Sequence, residues 1–326
     1  MSTPAADTEN TAPTLDDLPS PPEGNTGWPW TKQSDSLPET QPDGAPWPKI
    51  SIVTPSYNQG QFIEETIRSV LLQGYPNLEY IVVDGGSTDE TAEILEKYDP
   101  WIDHWVSEPD RGQSHAINKG FGYCDGGGWG GWINSDDWLA KGALPVVGGY
   151  SPTRILSGTC LIDGPDDTHV QQGDVHDLTE LLDIVNVWRD GDYIPQPATF
   201  FPLPTFEALG GLAEKEPYVM DYDLWCRLFK HHEIEYVDRP FAHFRFHEGQ
   251  KTSNFEAVTE HLRRCAARHL DDAEVEEETR QWLRRRIEEY EHYRWKKTGR
   301  LARSGLPRPL VEAIRTLADT IGGSSA

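Results

Sequence analysis

"KISIVTPSYNQGQFIEETIRSVLLQGYPNLEYIVVDGGSTDET", residues 49–91, decides the fold class. Its opening "KISIVTP" is a short run of β-branched residues, the composition of a buried strand. Behind it, "QFIEETIRSVLLQ" spaces Ile63, Ile67, Val70 and Leu71 as one face of a helix. "LEYIVVD" is a second strand, stopped by the turn residues of "GGSTD", and Ser87 or Thr88 is placed to cap a helix over "DETAEILEKY". A strand that returns parallel to its neighbour needs a crossover, and a helix supplies it. The alternation therefore predicts a parallel sheet wound with helices.

The pattern continues towards the C-terminus. "HWVSEPD" is a third strand and "GQSHAINKGFGYC" a third helix. The strand "GGWIN" then delivers Ser135, Asp136 and Asp137 at its carboxyl end. From about 150 to 250 the texture is less regular. "RILSGTCLID", "PATFFP" and "FAHFRFH" read as strands, and "MDYDLWCRLFKHH" as a helix with Leu224, Leu228 and Phe229 inward. From about 252 the chain turns helical through "EEETRQWLRRRIEEYEHYRWKK" to "PRPLVEAIRTLADTIG", which has Pro at its start.

Residues 1–48 hold ten prolines among Ser, Thr, Asp and Glu, a composition that buries too little apolar surface to offset ordering. They read as a disordered acidic tail, in which Trp28, Trp30 and Trp47 are odd: scattered linker aromatics first, rings that dock on the domain as the alternative. The expected division is a tail over 1–48, an α/β domain over 49–251 and a helical extension over 252–326. The domain is Rossmann-like, with a mostly parallel central sheet and helices on both faces.

The net charge of -25 in 326 residues argues against nucleic acid as a partner, because a phosphate backbone needs a basic footprint. A carboxylate-dense surface also suits a salt-rich cytoplasm. The charge is uneven: residues 280–326 carry 11 Lys or Arg against 5 Asp or Glu. That basic segment is either a solvated face or one that lies on an anionic membrane. Cys124, Cys160, Cys226 and Cys265 show no metal-binding spacing and read as reduced thiols. The first residues lack the charged and apolar regions of a signal peptide, and no apolar run reaches the ~18 residues of a membrane span. The expected location is the cytoplasm.

Four expected strand ends carry polar residues that a fold does not require: Thr54–Asn58, Asp84–Asp89, Asp110–Asn118 and Ser135–Asp137. In open α/β sheets ligands bind beyond the carboxyl ends of strands, so the four point to one pocket. Adjacent carboxylates such as Asp136 and Asp137 repel unless a cation is present. A hard divalent ion shared with phosphates removes that conflict. The plain alternative for the pair is a solvated turn or a helix cap.

Taken together these residues resemble family 2 of the inverting nucleotide-sugar glycosyltransferases, which have the GT-A fold. Residues 51–91 look like its nucleotide-binding opening, "EPDRGQSHAINKG" like its middle signature and "NSDD" like its variant of the DxD metal motif. The resemblance covers about residues 49–250. It implies a base pocket lined by Thr54, Pro55, Tyr57 and Asp84, and donor contacts from Arg111, Asn118, Ser135 and Asp136. It further implies Mn2+ or Mg2+ at Asp137, with His247 of "FRFHEGQKT" as a second ligand, and Gln196 of "YIPQPATFF" on the acceptor side. "MDYDLWCRL" is similar to the segment whose first Asp, here Asp221, is the catalytic base. Met220 stands where the family usually has Glu, and "YCDGGGWGGWIN" is unusually rich in glycine.

The implied reaction moves a sugar from a nucleoside diphosphate, uracil-linked by resemblance, to a saccharide or lipid-linked acceptor in one displacement. A lipid-linked acceptor would bring the basic C-terminal helices to the inner face of the membrane. Two other classes stay open. A nucleotidyltransferase shares nucleotide and metal but needs a basic glycine-rich loop. A non-catalytic subunit of a glycan assembly complex keeps the pocket and tolerates loss of Asp137 or Asp221, and both are present.

Overall fold

The computed structural model describes residues 12–163, 168–184, 194–247 and 255–301. β1 (Ile50–Ser56), α1 (Gly60–Leu71), β2 (Leu78–Asp84), α2 (Thr91–Tyr98), β3 (His104–Ser107), α3 (Gln113–Phe121) and β4 (Trp129–Trp132) follow the predicted order. All seven residues of β1 are buried, as a strand covered on both faces requires. β1 pairs in parallel with β2 and β4, and β2 with β3. The spatial order β3-β2-β1-β4 means that the chain adds strands on one side of β1 and then on the other. That reversal opens a crevice beyond the carboxyl ends of β1 and β4, the place where such sheets bind ligands.

The later elements are β5 (Trp138–Leu139), α4 (Ala143–Gly148), β6 (Ile155–Asp163), β7 (Thr168–Gln171), α5 (Leu178–Leu181), β8 (Thr199–Pro202), α6 (Leu203–Ala208), α7 (Met220–Leu228), β9 (Ile234–Arg245), α8 (Phe255–Arg268) and α9 (Glu277–Leu301). β8 runs antiparallel to β4 and β6, β5 antiparallel to β9, β6 antiparallel to β7, and β6 parallel to β9. The sheet is therefore parallel in its first half and mixed beyond β4. β9 begins seven residues before the predicted "FAHFRFH", running through Asp238 and Pro240. Shifts of register between Ser157 and Cys160 accommodate that stretch, since proline cannot donate to a regular ladder.

The glycine-rich stretch divides into two uses. Gly126, Gly127 and Gly128 have φ of 26°, 91° and 75°, the left-handed region open to glycine at little cost. Gly130 and Gly131 lie in β4, where an added Cβ would come within 2.8 Å of Phe201 and 2.9 Å of Phe200. The absent side chains leave room for these aromatic rings of β8 against the strand.

Residues 12–48 are not the disordered tail that their composition suggests. Arg68 of α1 is fully buried and donates to the carbonyls of Pro19 (2.8 Å), Pro29 (3.2 Å) and Trp30 (3.1 Å) and to the Tyr98 hydroxyl (2.9 Å). Its guanidinium lies 5.6 Å from the Trp30 ring. Trp28 Nε1 donates to Leu139 O at 2.8 Å, and Leu18 and Trp47 join the core. Prolines lack N–H groups but keep their carbonyls, so a proline-rich segment can be ordered by donors from the domain it covers. Residues 1–11 lie outside the described residues.

Two smaller expectations also change. α2 starts at Thr91, after both Ser87 and Thr88, because Asp89 accepts the Thr91 N–H and hydroxyl while Ser87 bonds Asp84. The described residues form two compact units, one of 12–181 with 194–265 and one of 182–184 with 266–301, so the boundary falls inside α8 and not at 252. In the second unit Arg286 grips Asp183 at 2.5 and 2.7 Å, and Leu283, Ile287 and Tyr290 are buried. The final helix expected over 307–322 lies outside the described residues.

Candidate functional site

Ser56, Asp84 and Ser107 end β1, β2 and β3 in one row of the sheet. Asp84 is fully buried and accepts from Ser87 N (2.8 Å), Ser87 Oγ (2.5 Å) and Ser107 Oγ (2.6 Å). It thereby shapes the loop that follows β2. Thr54 is buried with its hydroxyl 3.1 Å from the Tyr80 hydroxyl, and Pro55 is buried beside it. Tyr57 is 62% exposed. A Cβ on Gly85 would meet its ring at 3.3 Å and Asp110 Oδ2 at 2.9 Å, so glycine keeps the ledge beneath Tyr57 open. The buried Ser56 hydroxyl has no hydrogen-bond partner among the described residues. A buried hydroxyl left unpaired is costly, and a bound ligand or water is one way to satisfy it.

At the end of β4 the chain turns through Asn134, Ser135, Asp136 and Asp137. Thr66 of α1 pins the turn by donating to Ser135 O (3.0 Å) and Asp137 O (2.6 Å). The two carboxylates differ in surroundings. Asp137 is buried, and its oxygens accept from Arg245 N (3.0 Å) and Asn134 Nδ2 (3.1 Å). Burial and the neighbouring Asp136 carboxylate hold it well above the usual carboxylate range. Asp136 instead turns its Oδ2 to His247 Nε2 at 2.9 Å, and both side chains keep some exposure. His247 thus meets Asp136, the neighbour of the Asp137 that the resemblance pairs with it as a metal ligand.

Asn134 is the residue that the sequence reading overlooked. Besides Asp137 it bonds Gln113 Nε2 (2.7 Å) and Gln196 Oε1 (3.4 Å). Gln196 is buried and donates to Trp132 O at 2.8 Å, which commits it to bracing the turn. Asn118 likewise bonds the backbone of Leu212 in both directions, at 2.9 and 2.7 Å, and so holds the loop before α7. Arg111 is exposed and meets Glu214 of that loop in a two-pronged pair at 3.0 and 2.9 Å. An asparagine before an acidic pair carries no distinct signal by itself; only its three partners reveal it.

Asp221 reaches the same neighbourhood through α3. Gln113 bonds Asn134, and next to it Ser114 donates to Met220 Sδ at 2.9 Å, fixing the start of α7. Met220 thus gives a hydroxyl–thioether contact where an acidic residue would place a second charge. Asp221 is half-buried at the second position of α7, and burial raises its affinity for a proton. Asp223 points elsewhere, paired with Arg227 at 2.8 Å.

Asp136 and His247 are the side chains here that could hold a cation. No group of three or more His, Cys, Asp or Glu among the described residues forms a cage for a metal. Two protein ligands nonetheless fit a magnesium-like ion, which takes the rest of its shell from phosphates and water.

The family model described as Glycosyl transferase family 2 matches residues 51–149, the span from β1 to the end of α4. Among named relatives, TuaG of Bacillus subtilis, a glycosyltransferase named for teichuronic acid biosynthesis, is 39% identical over 30% of this chain and 39% of its own. The chain spans about 30% of the length of the first curated relatives it matches. The fold is that of TarS from S. aureus in complex with UDP-GlcNAc, with a TM-score of 0.60 at 18% identity, covering 76% of this chain and 73% of that one. The mannosyltransferase PcManGT of Pyrobaculum calidifontis, with GDP-Man and Mn2+, gives 0.54 at 18% identity over 89% and 84%. The chain has the α/β fold of GT-A glycosyltransferases, with C-terminal helices. No helix among the described residues is long and apolar enough to cross a membrane.

Proposed function

We propose that this chain, whose residues 51–149 form a glycosyltransferase family 2 domain, transfers a sugar with inversion from a nucleoside diphosphate to a hydroxyl of a saccharide or lipid-linked acceptor in polysaccharide assembly. What supports the reading is the Asp136–His247 pair in the turn after β4, together with the Gln113–Asn134 and Ser114–Met220 bonds through which α3 links that turn to the start of α7, where Asp221 stands.

Tyr57 offers an open ring on which a base can stack, with Asp84 and Ser56 behind it. The donor base is uracil first and guanine second; TarS holds UDP-GlcNAc and PcManGT holds GDP-Man. Asp136 and His247 would hold Mn2+ or Mg2+, in exchange of the part first given to Asp137, which braces the turn from inside. That ion, when bound, supplies positive charge to the departing diphosphate. The Mn2+ in PcManGT supports its use here.

Asp221 takes the proton of the acceptor hydroxyl as the new C–O bond forms. A proton affinity raised by burial brings a carboxylate nearer the pH at which it can accept a proton and still be ionised. Asn118 and Arg111 hold the loop that leads to this base, and Gln196 acts on the turn rather than on the acceptor. We place the reaction on the cytoplasmic side, at the membrane face where the acceptor is lipid-linked.

Asp221→Asn tests the assignment. Transfer from UDP- or GDP-linked sugars should fall by at least ~10² to 10⁴, the usual share of a general base, with donor binding retained. Transfer at the wild-type rate would remove Asp221 from the mechanism. Donor binding without transfer in the wild type, across sugars and acceptors, would favour a non-catalytic subunit.

A further inference from the structure

Arg245, the last residue of β9, reaches three separate parts of the site. Its backbone N–H donates to Asp137 Oδ1 at 3.0 Å, and its Nε donates to Asp136 O at 3.1 Å. The far end of the guanidinium meets Glu65 Oε2 of α1 at 2.6 Å. The same planar group lies 4.8 Å from the Phe62 ring and 4.5 Å from the Trp138 ring. Phe62 in turn packs on His247, with ring centres 4.9 Å apart.

We infer that Arg245 is a positioning residue that sets how tightly the site holds a divalent cation, by fixing the Asp136 backbone against His247. The inference rests on the cation reading given under Proposed function. A carboxylate and an imidazole from chain segments far apart make a good pair of ligands only when both are held before the ion arrives. Thr66 fixes the carbonyls of Ser135 and Asp137 but leaves the carbonyl of Asp136 to Arg245. Phe62 and Trp138 offer their rings to the planar guanidinium, and Glu65 fixes its far end. A lysine keeps the charge but has neither the planar stack nor the fork that joins Asp136 O to Glu65.

A purely structural arginine would affect stability and leave ion affinity alone. Mn2+ binding is therefore measured directly, from the paramagnetic resonance of the free ion, on full-length protein saturated with UDP or with GDP. Arg245→Lys should bind Mn2+ ~10- to 100-fold more weakly than wild type, the usual effect of disturbing groups that orient metal ligands. Its nucleotide affinity in EDTA should stay within about twofold of wild type. Glu65→Gln, which leaves the arginine in place and loosens its far end, should show a smaller loss in the same direction and serves if Arg245→Lys does not fold. Wild-type Mn2+ affinity in whichever variant folds overturns the inference. Absence of Mn2+ binding in the wild type with either nucleotide defeats the cation reading itself, and this inference with it.

Discussion

Asp136 Oδ2 and His247 Nε2 lie 2.9 Å apart although 111 residues separate them in the chain. One ends the turn after β4 and the other follows β9, and β5, which continues directly from the turn, pairs antiparallel with β9. Sheet pairing thus does the work of bringing them together. The neighbouring Asp137 is drawn to the other side of the turn by Arg245 N and Asn134. Two adjacent carboxylates are in this way given different tasks, one facing the crevice and one closing the turn.

The raised proton affinity of Asp221 has consequences for rate and for stability. Transfer should decline as pH falls through the raised pKa, because the base is then protonated. In stability the sign is the reverse of a salt-bridged carboxylate. A carboxyl with a raised pKa binds more protons folded than unfolded, so its contribution worsens as pH rises from the unfolded value of ~3.9 through the folded one. Asp221→Asn should therefore unfold at higher urea than wild type at neutral pH, and the gap should close as pH approaches ~4. A gap that widens on acidification would contradict the burial argument.

Arg68 ties the proline-rich segment to α1 through three carbonyls. Bonds from a charged donor are each worth ~1.5–3 kcal/mol, and their loss is partly offset by water. Arg68→Met should lower unfolding free energy by about 2–4 kcal/mol and speed trypsin cleavage within residues 12–48. Equal urea midpoints for variant and wild type would show that the segment holds by apolar contacts alone.

Gly131 leaves room for the Phe200 ring against β4. Gly131→Val should cost about 1–3 kcal/mol from overpacking, and adding Phe200→Leu should return part of that loss. Thermal unfolding of the single and double variants decides it; additive losses would mean that the two positions do not share the space.

Much of the first half was legible because β1 and β2 are short β-branched runs, α1 has its apolar residues at helical spacing, and turn residues separate them. What the sequence hid was set by partners remote in the chain. Nothing in "GWINSDDWL" distinguishes the side on which Asp136 and Asp137 lie; the turn and Arg245 do. Gln196 lies between two prolines, a context that suits many roles, and its bond to Trp132 O comes from a strand 64 residues away in the chain. The order of residues 12–48 shows in the sequence only as three odd tryptophans, because composition measures what a segment buries by itself, and here a buried arginine and the core supply what the segment lacks.

Calorimetric binding of UDP and of GDP, with and without Mn2+, to wild type and to Asp136→Asn tests the account most directly. For the favoured nucleotide, Mn2+ should tighten binding to wild type by at least tenfold and leave Asp136→Asn nearly unchanged. Nucleotide binding that ignores Mn2+ in the wild type, or a variant that responds to Mn2+ as fully as wild type, would contradict the proposed place of the cation.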